Sequence, residues 1–278
     1  MSAQLDRETP PWRIQTAALC ALALVAAVLA QPARAGTTLG AAPTCMLSDI
    51  GLGQNLTRTR HQLANGRTLT IVAIGSSSTE GAGASSASAA YPARLEALLS
   101  ARLPGIRIRV LNRGIGGEEE ADMLARFDRD VIAEKPDLVL WQVASNAIMR
   151  DRQLATQEDL LRAGIARIKR AGADTLLIDP QYTTAIIAHA IARPMVDLIA
   201  AEARRQQVAT FRRFALMRDW HESQRIPFEA FSIADGLHMN DWGYDCLARN
   251  LAAAIARSAA QPAMAAMTPA DVFAEIAF

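Results

Sequence analysis

The chain has 278 residues, of which 51% are hydrophobic and 21% charged, a balance typical of a folded chain rather than a disordered one. Its 29 basic and 28 acidic residues nearly cancel, so no strong overall charge favours nucleic acid or an anionic membrane surface. Lysine occurs only at Lys135 and Lys169, and neither follows a glycine-rich loop. A P-loop nucleotide site is therefore excluded, because its lysine is missing.

An uncharged apolar run covers residues 17–30 and follows arginines near the N-terminus. Ala33-Arg34-Ala35 comes shortly after it and has the Ala-x-Ala pattern of a signal-peptide cleavage site. The run is shorter than the roughly 20 apolar residues of a membrane span. We therefore expect residues 1–35 to be a signal peptide cleaved after Ala35, with an uncleaved anchor as the alternative. The mature protein would be periplasmic or extracellular.

From residue 68 onward, apolar runs of strand length alternate with stretches of helical periodicity. The pattern predicts strands at 68–74, 106–111, 138–143, 175–178 and 208–211. It predicts helices at 91–103, 118–134, 156–170, 194–207 and 241–258. This alternation is typical of a parallel sheet covered on both faces. Right-handed crossovers then make an α/β fold, a doubly wound three-layer α/β/α sandwich with five strands.

Two segments flank the predicted 68–258 domain. Residues 36–67 are expected to form a leader that wraps the core, whereas no structure is assigned to the Ala- and Met-rich tail at 259–278. The mature chain contains two cysteines, Cys45 in the leader and Cys246 in the last predicted helix. In an exported protein they either form one disulfide or remain buried thiols.

Residues suited to nucleophilic catalysis lie at successive strand ends, where ligands bind in such sheets. Ser77 follows the first strand and is a candidate nucleophile, with a solvated turn as the structural alternative. Gly117 closes a glycine-rich loop that can expose backbone N–H groups. Asn146 either presents its amide to the same cleft or caps a turn. Asp235 precedes His238 by three residues and can orient its imidazole.

The order of these blocks resembles that of the SGNH (GDSL-type) serine hydrolases, named for Ser, Gly, Asn and His in four blocks. Residues 75–79, Gly-Ser-Ser-Ser-Thr, are similar to Gly-Asp-Ser-x-Thr, and 112–117 are similar to the second block. Residues 144–147, Ala-Ser-Asn-Ala, are similar to Gly-x-Asn-Asp, and 235–238 match Asp-x-x-His. The resemblance covers about residues 68–255 and implies the flavodoxin-like fold of that family.

The resemblance implies a serine esterase that works through an acyl-enzyme. Ser77, His238 and Asp235 would form the catalytic triad. The N–H groups of Ser77 and Gly117 and the amide of Asn146 would form the oxyanion hole. Neither a metal nor an organic cofactor is implied.

The sequence departs from the family pattern at three positions beside the site. Ser76 replaces the usual Asp, and Ala144 and Ala147 replace the Gly and Asp of the third block. None of these is a triad or oxyanion residue in the family, so we expect an active enzyme. These replacements alter the polarity and shape of the cleft.

The expected substrate is an O-acetylated glycan or a small acyl ester, with no nucleic-acid partner and no membrane contact apart from the export signal. Gln142, Asp179, Gln181 and Tyr182 lie at or beyond strand ends and either line the pocket or are structural. An O-acyltransferase with the same triad and a catalytically silent glycan-binding protein are the alternatives. The oligomeric state is not assigned.

Overall fold

The computed structural model describes residues 42–66 and 68–260, with side chains through residue 258. Its centre is a five-stranded, fully parallel sheet with the strand order β2-β1-β3-β4-β5. The strands are β1 (Thr68–Gly75), β2 (Arg107–Gly114), β3 (Leu138–Gln142), β4 (Asp174–Ile178) and β5 (Ala209–Phe211). All five predicted strands are present, and the predicted parallel α/β fold is confirmed.

Twelve α-helices connect and cover these strands within the described part of the chain. In chain order they are α1 (Thr57–Ala64), α2 (Ser77–Glu80), α3 (Tyr91–Arg102), α4 (Glu120–Ala125), α5 (Phe127–Asp130), α6 (Ser145–Met149), α7 (Leu154–Arg170), α8 (Thr184–Ile187), α9 (Ala192–Arg205), α10 (Arg213–Glu222), α11 (Phe228–Phe231) and α12 (Asp241–Ala260). None of the helices in residues 42–66 and 68–260 is both long and apolar enough to cross a membrane.

Strand β1 explains why the fold has three layers. Successive side chains of a strand point to opposite faces of the sheet. Ile71 and Ala73 face the core built with α3 and α12, whereas Val72 and Ile74 face the core built with α7 and α9. Because all four side chains are fully buried, β1 reads as a continuous apolar run rather than an alternating one.

Strand β2 lies at the sheet edge and is less buried than β1. Ile108 is buried, whereas Arg107 and Arg109 on either side of it are exposed. An edge strand has a neighbour on one side only, so its polar side chains reach water without disturbing the core.

One predicted helix is wrong. Residues 118–134 form α4, α5 and a 3₁₀ turn at Ile132–Glu134 rather than one continuous helix. Arg126 separates α4 from α5 with φ −112° and ψ 5°, away from helical geometry. Its buried guanidinium bonds to Glu118, Asp130 and the carbonyl of Arg113, and these partners hold the chain in its broken path.

The segment before β1 packs against the same core. Ile50, Leu52 and Leu56 are buried, and the carbonyl of Leu52 accepts a hydrogen bond from the N–H of Thr210 in β5. Helix α1, which lies before the sheet, was not predicted. Nor were α10 and α11, which lie in the irregular segment at 212–240. The expected signal peptide, residues 1–35, and the tail at 261–278 lie outside the described residues.

A disulfide joins Cys45 to Cys246 in α12, the first of the two alternatives that the sequence left open. The side chain of Asn250, one turn further along α12, accepts a hydrogen bond of 2.8 Å from the N–H of Ser48. The disulfide and this hydrogen bond together attach the N-terminal segment to the last helix.

Candidate active site

Ser77 lies at the turn between β1 and the short helix α2. Ser76 is still extended, with φ −95° and ψ −151°, and Ser77 is the first helical residue. The turn is tight at Gly75, where a Cβ would clash with the side chains of Thr79 and Gln142. This geometry leaves the side chain of Ser77 half-exposed, while those of Ser76 and Ser78 are each only 1% exposed.

The structure brings Ser77, His238 and Asp235 together in a line. Ser77 Oγ lies 2.7 Å from His238 Nε2, and His238 Nδ1 lies 2.6 Å from Asp235 Oδ2. A carboxylate only accepts hydrogen bonds, so Nδ1 carries the proton and Nε2 is free to accept the hydroxyl proton of Ser77. Among the three adjacent serines, Ser77 alone has this contact within the described residues.

The loop before α12 holds the carboxylate of Asp235 in place. Asp235 Oδ1 accepts hydrogen bonds from the N–H groups of Leu237 and His238, at 2.8 and 2.9 Å. Gly236 has φ +67°, a left-handed conformation that allows the chain to turn back. Burial raises the pKa of Asp235, but hydrogen bonds from the His238 side chain and the two backbone N–H groups outweigh burial and lower it overall. The carboxylate therefore stays charged beside the imidazole.

The loop after β2 lies directly against Ser77. A Cβ built on Gly116 would be 3.9 Å from that of Ser77. The next residue, Gly117, has φ +80° and is exposed. The glycine-rich second block thus runs beside the nucleophile candidate.

Asn146 belongs to α6, which follows β3. Its amide nitrogen donates a hydrogen bond of 2.8 Å to the carbonyl of Glu118, next to Gly117. The amide carries a second hydrogen, for which residues 42–66 and 68–260 supply no acceptor. Asn146 is therefore fixed against the Gly117 loop with one N–H left to bind another group.

The turn into α6 contains a strained residue. Ala144 has φ +69° and ψ −6°, a left-handed conformation that disfavours residues with a Cβ. The buried carboxyl group of Glu120 accepts a hydrogen bond from the N–H of Ala144. Burial raises the pKa of Glu120, and its second oxygen has no partner within the described part of the chain.

Beneath Ser77, a chain of buried side chains connects the serine loop to the histidine loop. Gln142 Oε1 accepts hydrogen bonds from Thr79 and Ser76, and Gln142 Nε2 donates to Ser145. Ser145 donates to Gln181, whose amide nitrogen in turn donates to the carbonyl of Leu237. Gln142 and Gln181 are therefore structural residues. The sequence had left open whether they line the pocket or have this structural role.

Arg213 completes this buried network, although no sequence pattern indicated a role for it. The side chain is fully buried and donates to the backbone carbonyl of Asp179 and to Gln181 Oε1, both at 2.8 Å. Burial lowers the pKa of Arg213 to about 10 and raises that of Asp179 to about 7. Asp179 Oδ1 accepts the N–H of Phe214 at 2.8 Å, so this side chain is also buried and structural.

Tyr182 is half-exposed, unlike Gln142, Asp179 and Gln181, the other three residues that the sequence suggested for the pocket. Its ring stacks on Phe228 with a centroid distance of 5.9 Å, and its hydroxyl donates to Glu222 at 2.7 Å. No described contact joins it to the triad.

The remaining histidines lie outside the triad. His189 pairs with Asp151, His221 binds the carbonyl of Ile226, and His61 contacts Asn65. Within residues 42–66 and 68–260, no group of three or more His, Cys, Asp or Glu side chains is arranged to hold a metal ion.

Similarity to known proteins agrees with this fold. An acetylxylan esterase from Geobacillus stearothermophilus is 42% identical over 64 residues, 23% of this chain and 29% of that protein. A two-domain esterase active on acetylated mannans superposes with a TM-score of 0.63 at 20% identity, covering 76% of this chain and 56% of its own. The structure of an acetylxylan esterase from Geobacillus stearothermophilus superposes with a TM-score of 0.56 at 22% identity. The match covers 77% of this chain and 98% of the esterase chain.

The structural matches share the fold of this chain. The chain spans less than two thirds of the length of two of these proteins, the acetylxylan esterase aligned by sequence and the two-domain esterase. The model of the Non-GDSL lipase-like family matches residues 42–261, most of the sequence. The SGNH resemblance is thereby confirmed, and the chain belongs to the Non-GDSL lipase-like family.

Proposed function

We propose that this protein is a carboxylic ester hydrolase with Ser77 as nucleophile, His238 as general base and Asp235 as the residue that orients the imidazole. The observation that carries the proposal is the aligned pair of contacts, 2.7 Å from Ser77 Oγ to His238 Nε2 and 2.6 Å from His238 Nδ1 to Asp235. A serine paired with an oriented base is the arrangement that activates a hydroxyl for acyl transfer.

The reaction proceeds in two halves. Ser77 Oγ attacks the ester carbonyl while His238 Nε2 takes the hydroxyl proton. The tetrahedral intermediate then loses the alcohol, which receives that proton from the imidazolium, and an acyl ester remains on Ser77. Water attacks this ester while His238 takes one of its protons, and the second tetrahedral intermediate releases the acid as the imidazolium returns the proton to Ser77 Oγ. The charged carboxylate of Asp235 stabilises the imidazolium in both halves.

Three N–H groups surround the position of the developing oxyanion. They are the backbone N–H groups of Ser77 and Gly117 and the free amide hydrogen of Asn146. The hydrogen bond from Asn146 to the carbonyl of Glu118 holds the amide before substrate binds. Such preorganised donors stabilise the transition state more than the ground state, because the negative charge develops only during the reaction.

The substrates are O-acetyl esters on glycans. Relatives in sequence and fold include an acetylxylan esterase and an esterase active on acetylated mannans, which supports this class. Hydrolysis fits the site without a metal or organic cofactor, since every proton transfer passes through His238.

The site of action is outside the cytoplasm, with residues 1–35 removed as a signal peptide. The apolar run at 17–30 and the Ala33-Arg34-Ala35 sequence support export. The disulfide between Cys45 and Cys246 supports it independently, since such bonds persist in oxidising compartments. The intact mass of protein recovered from the cell envelope should correspond to a chain that begins at Gly36. A mass that retains residues 1–35 would indicate an anchor instead.

A fluorophosphonate probe tests the nucleophile. Peptide mapping should place the adduct on Ser77, and both Ser77→Ala and His238→Ala should prevent labelling. Ser78→Ala is the matched control, because it removes a neighbouring hydroxyl that is buried away from His238, and it should label like the parent. An adduct on Ser76 or Ser78 would shift the assignment of the first block by one residue.

Substrate assays then separate the alternatives. The parent should hydrolyse p-nitrophenyl acetate and release acetate from acetylated xylan or mannan oligosaccharides. A product that forms only when an acceptor sugar is added would indicate an O-acyltransferase with the same triad. A folded protein that neither labels nor hydrolyses any ester would instead be a silent glycan-binding protein.

A further inference from the structure

An open cavity of about 590 Å³ lies beside the loop that carries Gly117. This volume is within the roughly 300–1,000 Å³ typical of small-molecule sites. Arg150 connects the cavity to the candidate active site, because it lines the cavity and donates to the carbonyl of Gly117 at 3.1 Å. Its backbone N–H also donates to the carbonyl of Asn146. The cavity wall is thus attached directly to two of the three proposed oxyanion donors.

A buried acceptor in this cavity lacks a partner. Gln157, in α7, lines the cavity and is only 3% exposed. Its Oε1 atom has no hydrogen-bond donor within the described residues. A buried oxygen without a donor costs free energy in the unliganded protein, and a ligand hydroxyl would relieve that cost.

The cavity also presents donors that are already held in position. The carboxylate of Glu119 accepts two hydrogen bonds from Arg152, each 2.9 Å, and one of 2.7 Å from Arg150. A guanidinium has five N–H groups, so both arginines keep hydrogens that do not point to Glu119. Hydrogen bonds from Arg152 and Arg150 hold the pKa of Glu119 below its usual value. The Glu119 carboxylate therefore stays ionised and keeps both guanidinium groups in position.

The charges around the cavity are nearly balanced. Three carboxylates, those of Glu119, Asp122 and Asp151, accompany the two guanidinium groups of Arg150 and Arg152. No surplus of positive charge is available to bind an anion. Closely spaced donors and acceptors with a net charge of only about −1 match the hydroxyl groups of a neutral sugar.

On these grounds we propose that the cavity lined by Arg150, Arg152 and Gln157 is a subsite that binds a sugar residue of a neutral glycan next to the one whose ester reaches Ser77. This assignment rests on the proposed function, because it requires an ester-bearing glycan at Ser77. The glycan would pass over Gly117 into the cavity, where a sugar hydroxyl donates to Gln157 Oε1 and the arginines donate to sugar oxygens.

Binding to an inactive protein tests the subsite without turnover. In a Ser77→Ala background, partially acetylated xylopentaose and mannopentaose would be titrated by calorimetry. Adding Gln157→Leu should weaken binding of the tighter probe by about fivefold to tenfold, the loss expected for one hydrogen bond. Leucine keeps the approximate size of the side chain and removes a buried oxygen that lacks a donor, so the fold should be retained. Adding Arg152→Ala should also weaken binding.

Arg193→Ala is the matched control, since Arg193 is an exposed arginine in an ion pair with Asp197 on α9 and does not line the cavity. It should leave the affinity unchanged. Equal affinity in the Gln157→Leu and unmodified Ser77→Ala proteins, or no binding of either pentaose, would overturn the subsite. Failure of the parent to hydrolyse p-nitrophenyl acetate would instead overturn the esterase, so the two failures are distinguishable.

Discussion

Gln142 Oε1 accepts hydrogen bonds from both the backbone N–H and the hydroxyl of Ser76, at 2.9 and 3.2 Å. Ser76 is the residue that stands in place of the Asp of GDSL proteins. An Asp there would put a carboxylate, which only accepts hydrogen bonds, against the accepting oxygen of Gln142. The serine and the glutamine are therefore matched to one another.

Restoring the family residue should destabilise this protein. Ser76→Asp buries a carboxylate without a donor and should lower the free energy of unfolding by about 2–3 kcal/mol. Urea unfolding measures the change. Ser76→Ala serves as the control, because it removes one hydrogen bond and should cost only about 1 kcal/mol. Equal midpoints for Ser76→Asp and the parent would contradict the match with Gln142.

Ala144 is the second departure from the family pattern, and its conformation explains why glycine is usual there. With φ at +69°, the Cβ of Ala144 costs roughly 1–2 kcal/mol. Ala144→Gly should therefore stabilise the protein, by about 0.5–1 kcal/mol after the extra flexibility of the unfolded chain is subtracted. Ala144→Val should destabilise it, because a β-branched residue fits this conformation still less. Thermal unfolding of the two variants should bracket the parent.

The strands and the pairing of Asp235 with His238 were predictable because their signals are local. The continuous apolar run of β1 and the three-residue spacing from Asp235 to His238 can both be read from neighbouring residues. Arg126 and Arg213 could not be predicted in the same way. Their burial depends on acceptors supplied by distant parts of the chain, such as the carbonyls of Arg113 and Asp179. Without knowledge of those acceptors, an arginine in the sequence is expected to lie on the surface, because its charge favours water.

The disulfide should contribute a large part of the stability. Cys45 and Cys246 are separated by 201 positions, and closing so long a loop lowers the entropy of the unfolded chain. In the chain-entropy model the contribution is about 5 kcal/mol. Denaturant unfolding with and without a reducing agent measures it. A double Cys45→Ala, Cys246→Ala variant should be insensitive to the reducing agent, and equal midpoints for the reduced and oxidised parent would contradict the prediction.

Asp179 should make stability depend on pH. Burial raises its pKa from the ordinary 3.8 to about 7, so the folded state holds a proton there that the unfolded state releases above about pH 4. This contribution is therefore complete below the unfolded pKa and is lost as pH rises through about 7. Between pH 5 and pH 8, the parent should lose more stability than Asp179→Asn, which keeps an oxygen for the N–H of Phe214. Parallel pH curves for the two proteins would contradict the assignment.

Asn146→Ala should separate transition-state stabilisation from substrate binding. Its free amide hydrogen would meet an oxygen that becomes negative only during acyl transfer, so the variant should lower kcat by about 10²–10³ and change KM little. The carbonyl of Glu118 also loses a donor, and urea unfolding of the variant measures that structural cost separately. Asn65→Ala is the control, because Asn65 is an exposed amide at the end of α1 and should leave kcat unchanged. A rise in KM at constant kcat would make Asn146 a ground-state binding residue, and the oxyanion would then depend on the backbone N–H groups of Ser77 and Gly117 alone.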